Sequence, residues 1–303
     1  METVKLKAAT KDYIWGGNYL KKWGIESDTP TIAEAWVLSF NPSGPSVIAS
    51  GKDKGKLLMD VATKEDIGLL PASFPFFPVL IKFINSASNL SVQVHPSDEY
   101  ALKKENQFGK TEMWYVLEAK EGAGLYVGFE KEVTKEQLLQ GIKDGNIMNL
   151  LHFIPVKAGD SYFIPSGTVH AIGAGVTLIE IQQNSTLTYR LYDYHRKDKN
   201  GKERELHVEK ALEVLSLKPY QKIDFKKPII GSCKYFTSQF GEVKNEADFH
   251  ARVDSFMSIS FLSGEGEVDH IPFHRGDTFF IPANKKAHIE GNGKYILTEV
   301  KYL

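Results

Sequence analysis

The sequence predicts a mainly β protein made of two β-barrels in tandem, and three observations carry that prediction. Short segments rich in β-branched and aromatic residues alternate with Gly, Pro, Asn and Ser clusters along most of the chain, the pattern of a sandwich or barrel. One phrase occurs twice, as Ala158-Gly159-Asp160-Ser161-Tyr162-Phe163-Ile164-Pro165 and as Arg275-Gly276-Asp277-Thr278-Phe279-Phe280-Ile281-Pro282. Residues 258–266 also resemble 114–119 with the glycine-rich turn that follows, so an internal duplication is expected.

Taken in order, the alternating segments 4–8, 33–39, 79–84 and 91–94 are the first expected strands, followed by 113–117, 125–129, 161–164 and 176–182. Helices are fewer. One is expected over 98–105. A second, over 134–143, starts at the capping box Thr134-Lys135-Glu136-Gln137 and carries Leu138, Leu139 and Ile142 at helical spacing, which makes 134–151 a small helical insertion between barrel strands. A third is expected over 208–215. Lys218-Pro219-Tyr220 then breaks the pattern, which divides the chain into a first barrel domain over 1–217 and a second barrel over 218–303.

The 303 residues, 42% hydrophobic and 25% charged, are those of a globular chain able to bury a sizeable core. Lys and Arg number 37 against 38 Asp and Glu, so no global field attracts nucleic acid or an anionic membrane surface. No apolar stretch approaches the roughly 20 residues of a membrane span, and residues 1–10 lack an apolar run, so a soluble chain without a secretion signal is expected. Cys233 is the one cysteine, which excludes an intramolecular disulfide, leaves metal binding to His, Glu and Gln, and fits a cytoplasmic setting.

Only the first copy of the repeated phrase is followed by chemistry. It continues Ser166-Gly167-Thr168-Val169-His170, while upstream Gln93-Val94-His95 places two potential ligands on one strand face, because side chains alternate with a period of two. Glu112 follows. Two imidazoles, a carboxylate and an amide oxygen at this spacing point to a metal centre; they suit zinc with an open position, and iron or manganese would also accept two His and a carboxylate. In the second copy no Gln-x-His precedes the phrase and His288 falls one residue late, so that barrel is expected to carry no metal. Lys110 shares the face of Glu112, Glu180 and Gln182 share one face of the strand 176–182, and Arg190 lies in an aromatic stretch where, if buried, it needs an anionic partner.

With these residues in view, the chain resembles the type I mannose-6-phosphate isomerases of the short bacterial kind, zinc enzymes of the cupin fold. The resemblance runs through Ile14-Trp15-Gly16-Gly17, Ala33-Glu34-Ala35-Trp36, Leu90 to Pro96, Lys110 to Tyr115, Gly159 to His170 and Thr188 to Tyr194. It implies two cupin-type β-barrels (jelly rolls) and one zinc ion per chain on Gln93, His95, Glu112 and His170. It further implies that Arg190 is the catalytic arginine and that Ser91, Lys110 and Glu180 occupy active-site positions, Ser91 with Lys110 and Arg190 toward substrate. The implied substrate is a small sugar phosphate, mannose 6-phosphate, converted to fructose 6-phosphate through a cis-enediol, with neither nucleic acid nor membrane as partner. Arg190 is a poor candidate for the base because it stays protonated, so Glu180, Lys110 and a metal-bound water remain open for that role. The insertion over 134–151 is smaller than in the full-length eukaryotic enzymes, so the shape of the substrate entrance does not carry over. Two rival readings fit less well: an iron-dependent cupin dioxygenase does not require the neutral Gln93 or the anion anchors Lys110 and Arg190, and a sugar-binding cupin without turnover does not require Lys110 and Glu180 to face the metal.

Overall fold

The alternating segments become three antiparallel sheets in the computed structural model, which describes residues 1–198 and 200–301. A six-stranded sheet runs Ser161–Ile164, Glu112–Ala119, Val176–Gln183, Val79–Asn85, Glu34–Leu38 and Ala9–Lys11. A five-stranded sheet runs Tyr189–Tyr192, Val92–Val94, His170–Ile172, Gly124–Phe129 and Leu151–Pro155. The third, nine-stranded, holds every strand from Ile229–Ser232 to Lys286–Glu299 and also Val4–Lys7 and Val47–Ile48. The expected mainly β architecture is therefore present, with the helices Asp98–Lys104, Lys135–Lys143 and Val208–Val214 at the expected places. Thr134 caps its helix as expected: the Gln137 amide N–H donates to Thr134 Oγ1, and Gln137 Oε1 accepts from the Thr134 amide. Short helical turns at Tyr19–Trp23, Leu58–Val61, Lys64–Ile67, Leu69–Ala72 and Ile147–Leu150 have no periodicity long enough to read from sequence.

Period-two alternation decides what each face of the six-stranded sheet meets. Val79, Ile81, Phe83, Ile179 and Ile181 pack into one core with Phe236, Phe256, Phe280 and Ile296 of the C-terminal barrel. The intervening Ile84, Trp114, Val116 and Leu178 point the other way, against Leu125 and Val127 of the five-stranded sheet. Central strands buried on both faces follow from this, and Val79–Asn85 is buried at all of its 7 residues. The first barrel is thus the space between the six- and five-stranded sheets.

The expected division near residue 217 separates the chain but not the sheets. Val4–Lys7 pairs with Thr278–Ile281 on one side and Val47–Ile48 on the other, and Val4 and Leu6 enter the shared core. A strand of alternating apolar and Lys residues names its buried face but not its partner, which is why sequence put it with its neighbours in the chain. We propose that the two barrels form one folding unit. A fragment ending at residue 217 would bare the apolar face that meets Phe236, Phe256 and Phe280, and it is expected to aggregate or to bind ANS without a cooperative thermal transition. A monomeric fragment melting as sharply as the whole chain would contradict this.

The repeat can be followed by register. Ile164 pairs with Glu112 and His170 with Gln93; the equivalent pairs in the second barrel are Ile281 with Met257 and Ala287 with Phe249. Gln93, His95, Glu112 and His170 therefore correspond to Phe249, Ala251, Met257 and Ala287, of which the last three are buried core residues. His288 is displaced to the outer face, where its Nδ1 lies 2.7 Å from Asp248 Oδ1.

Candidate metal centre and cleft

Side chains of the even-numbered face of the six-stranded sheet meet side chains of the five-stranded sheet inside the first barrel. His95, Glu112 and His170 converge there, with donor atoms within 4.8 Å of one another and side chains at most 1% exposed. Local structure orients each imidazole. The His95 Nδ1–H donates to the Leu187 carbonyl and the His170 Nδ1–H to the Thr168 carbonyl, both at 2.9 Å, so each ring turns an unprotonated Nε2 inward. Those nitrogens stand 3.6 and 3.3 Å from the Glu112 carboxylate. Gln93 brings its amide to 3.4 Å from His170 Nε2, and because amide N and O are exchangeable by a half-turn the same side chain can offer Oε1.

Such an arrangement asks for a cation. Three acceptors face one another out of water, and apart from an ion pair with Lys110 neither Glu112 oxygen has a hydrogen-bond partner. Burial and the neighbouring Glu180 push the Glu112 carboxyl upward, a shift that a divalent ion among these donors would reverse. Burial also holds both imidazoles neutral, His95 well below its ordinary value and His170 down to about 4, which is the state in which they ligate. The residues present fit a metal ion.

Beside the centre lies a buried charge ladder. Trp114, Glu180, Lys82 and Trp36 stand abreast on adjacent strands. Trp114 Nε1–H donates to Glu180 Oε2 at 2.9 Å, Lys82 Nζ sits 3.2 Å from Glu180 Oε1 and 3.5 Å from Glu34 Oε2, and Trp36 Nε1–H donates to Glu34 at 2.6 Å. Lys110 joins the ladder to the metal centre, its Nζ 2.7 Å from Glu112 Oε2, 3.1 Å from His95 Nε2 and 3.6 Å from Glu180 Oε1. Burial alone would raise the Glu180 carboxyl, but Lys110 and Lys82 prevail and hold it well below the usual carboxylate range. A cleft of about 250 Å³ opens over these groups, lined by Gln93, Lys110 and Glu180 and by Ser91, Arg190 and Arg204. Arg190 donates from Nε to Ser91 Oγ at 3.3 Å and from Nη1 to the Glu205 carbonyl at 2.9 Å.

Residues 3–123 match the family model described as phosphomannose isomerase type I, catalytic domain. The mannose-6-phosphate isomerase of Streptococcus mutans is 36% identical over 299 residues, spanning 94% of each chain, and ManA of Bacillus subtilis is 36% identical across 93% of each. The crystal structure of a B. subtilis mannose 6-phosphate isomerase superposes with a TM-score of 0.88 at 33% identity, covering 98% of this chain and 99% of that one. The chain belongs to the type I mannose-6-phosphate isomerases. It is an isomerase of that family, with the cupin-type barrels that the sequence resemblance implied.

Every site residue expected of this isomerase reaches the same barrel interior or its cleft: Gln93, His95, Glu112 and His170 at the centre, Lys110 and Glu180 beside it, Ser91 and Arg190 on the cleft wall. Lys82 and Glu34 escaped sequence reasoning, yet both left a signal. Each is a single charge inside an otherwise apolar or small-residue run that the sheet buries, Val79-Leu80-Ile81-Lys82-Phe83-Ile84 and Ala33-Glu34-Ala35-Trp36, and a charge in such a run needs a partner. Arg204 left none, because it sits in a charged loop that reads as solvated surface.

Proposed function

We propose that this isomerase interconverts mannose 6-phosphate and fructose 6-phosphate by moving a proton between C1 and C2 through a cis-enediol. One zinc ion would be held by Gln93, His95, Glu112 and His170. The observation that supports this reading most directly is the convergence of two Nε2 lone pairs and an unsatisfied buried carboxylate beside a cleft carrying both a carboxylate and cations. When bound, zinc supplies Lewis acidity toward the sugar's C1 and C2 oxygens.

The protein's own groups supply the rest. Glu180 is ionised at neutral pH and lines the cleft, so among the groups left open by the sequence we assign it the proton transfer; one carboxylate on one face can both take the proton and return it to the adjacent carbon. Lys110 and Lys82 keep it ionised, and Lys110 is also placed to donate to an oxygen gaining charge. Ser91 holds the Arg190 guanidinium at the cleft wall, where its fixed cation offsets enediolate charge. A cytoplasmic setting accords with the half-buried, unpaired Cys233, and among the described residues no helix is long and apolar enough to cross a membrane.

The test is a coupled assay with mannose 6-phosphate before and after chelation. Activity is expected in the untreated protein, loss on chelation, and recovery with one equivalent of zinc per chain. An untreated protein that binds metal but does not isomerise the sugar phosphate would overturn the reading.

A further inference from the structure

Two arginines 14 positions apart in sequence reach the same cleft, and a buried carboxylate holds the second of them. The chain leaves Tyr189–Tyr192, makes a small excursion closed by a bridge between Lys197 and Glu203, and returns alongside the strand it left. On return, the His207 amide N–H donates to the Arg190 carbonyl at 2.7 Å, and the Arg190 Nη1 donates to the Glu205 carbonyl. This return brings Arg204 to the cleft wall. Asp193, whose side chain is 5% exposed, accepts from Arg204 Nε at 2.7 Å and from Nη2 at 2.6 Å, a two-point grip that fixes the plane of the guanidinium.

The charge balance around this grip is uneven. Asp193 is also paired with Arg196, so one carboxylate serves two guanidiniums while Arg190 stands beside them, and Glu205 turns its carboxylate to solvent at 84% exposed. Nη1 of Arg204 makes no hydrogen bond among the described residues. Arg196 differs from Arg204 in that it is spent on protein: it donates from Nη1 to the Asn89 carbonyl at 2.6 Å and does not line the cleft.

We propose that Arg204, gripped by Asp193 at the cleft wall, is the residue that recognises the phosphate monoester of the substrate and so selects phosphorylated over neutral sugars. A preorganised planar fork with a free donor edge matches a phosphate dianion, and a grip on the opposite edge removes the rotamer cost of ordering a long side chain. The proposal rests on the isomerase reading for the sugar but not for the phosphate, because inorganic phosphate alone probes the subsite.

The experiment compares wild type, Arg204→Ala, Arg204→Lys and Arg196→Ala, each with metal content and circular dichroism checked, by calorimetry with inorganic phosphate and by steady-state kinetics with mannose 6-phosphate. Arg204→Ala is expected to weaken phosphate binding and to raise KM, each by roughly 10–100-fold, with kcat within about threefold of wild type. Arg204→Lys, with the charge but not the fork, should fall between, and it carries the test if Arg204→Ala does not fold. Arg196→Ala should change both quantities much less; an equal loss there would reduce Arg204 to a structural partner of Asp193 and overturn the proposal. Undetectable phosphate binding by wild type, or unchanged binding and KM in both Arg204 variants, would also overturn it. If phosphate binding falls in Arg204→Ala while wild type fails to isomerise the sugar phosphate, the subsite stands and the reaction assignment fails.

Discussion

His170→Ala is expected to release the metal and abolish isomerisation while the C-terminal barrel stays folded. The side chain is 1% exposed, its Nδ1–H is spent on the Thr168 carbonyl, and its Nε2 stands 3.3 Å from Glu112. Losing an outer partner of a ligand already costs roughly 10–100-fold in metal affinity, so loss of a ligand itself should exceed that range. The variant also leaves the Glu112 carboxylate with one imidazole fewer and no added donor, a buried charge whose remaining close cation is Lys110. The core around Phe261, Phe273 and Phe279 lies in the other barrel and does not touch this site. Elemental analysis after dialysis, alongside near-ultraviolet circular dichroism, checks the outcome; equal metal in variant and wild type would remove His170 from the ligand set.

The second large effect concerns Arg190. Its Cα pairs in register with Gln93, which places it on the strand next to the ligand-bearing one, and its fork is oriented by Ser91 and by the Glu205 carbonyl. A guanidinium cannot abstract a proton at any relevant pH, so its contribution must be charge on an oxygen. Arg190→Ala is expected to lower kcat by roughly 10²–10³, the scale set by removal of one preorganised donor. Arg190→Lys should not restore the full rate, since the charge is kept but the two-point orientation is lost. A rise in KM with kcat nearly unchanged would instead make Arg190 a second phosphate anchor beside Arg204. Near-wild-type values of both, with metal content intact, would place it outside the reaction.

Much of this was legible in the amino-acid order because it depends on local periodicity. Alternation put Gln93 and His95 on one strand face, and it put Glu180 on the opposite side of its strand from Ile179 and Ile181, so the side chains that make the centre could be named before any long-range pairing was known. The capping box at Thr134 and the glycine turns of the repeated phrase likewise act within a few residues. What the order of residues could not decide is which faces meet and in what register. Val4–Lys7 joins a sheet in which every other strand except Val47–Ile48 lies more than 200 residues away, because its apolar face is satisfied equally well by any apolar sheet and only the assembled core selects one. Lys82 finds Glu34 and Glu180 across two strand boundaries, and Arg204 finds Asp193 through a return of the chain; in both cases a charge that looks solvated or anomalous in one dimension is paired in three. The second barrel shows the same limit from the other side. Its phrase repeats the first at five of eight positions, and the missing Gln-x-His and the late His288 already argue against a metal there. Only the pairing of Ile281 with Met257 and of Ala287 with Phe249 shows which residues replace the ligands and that they have become apolar core, since register, set by tertiary packing, decides which residue stands at the barrel's centre.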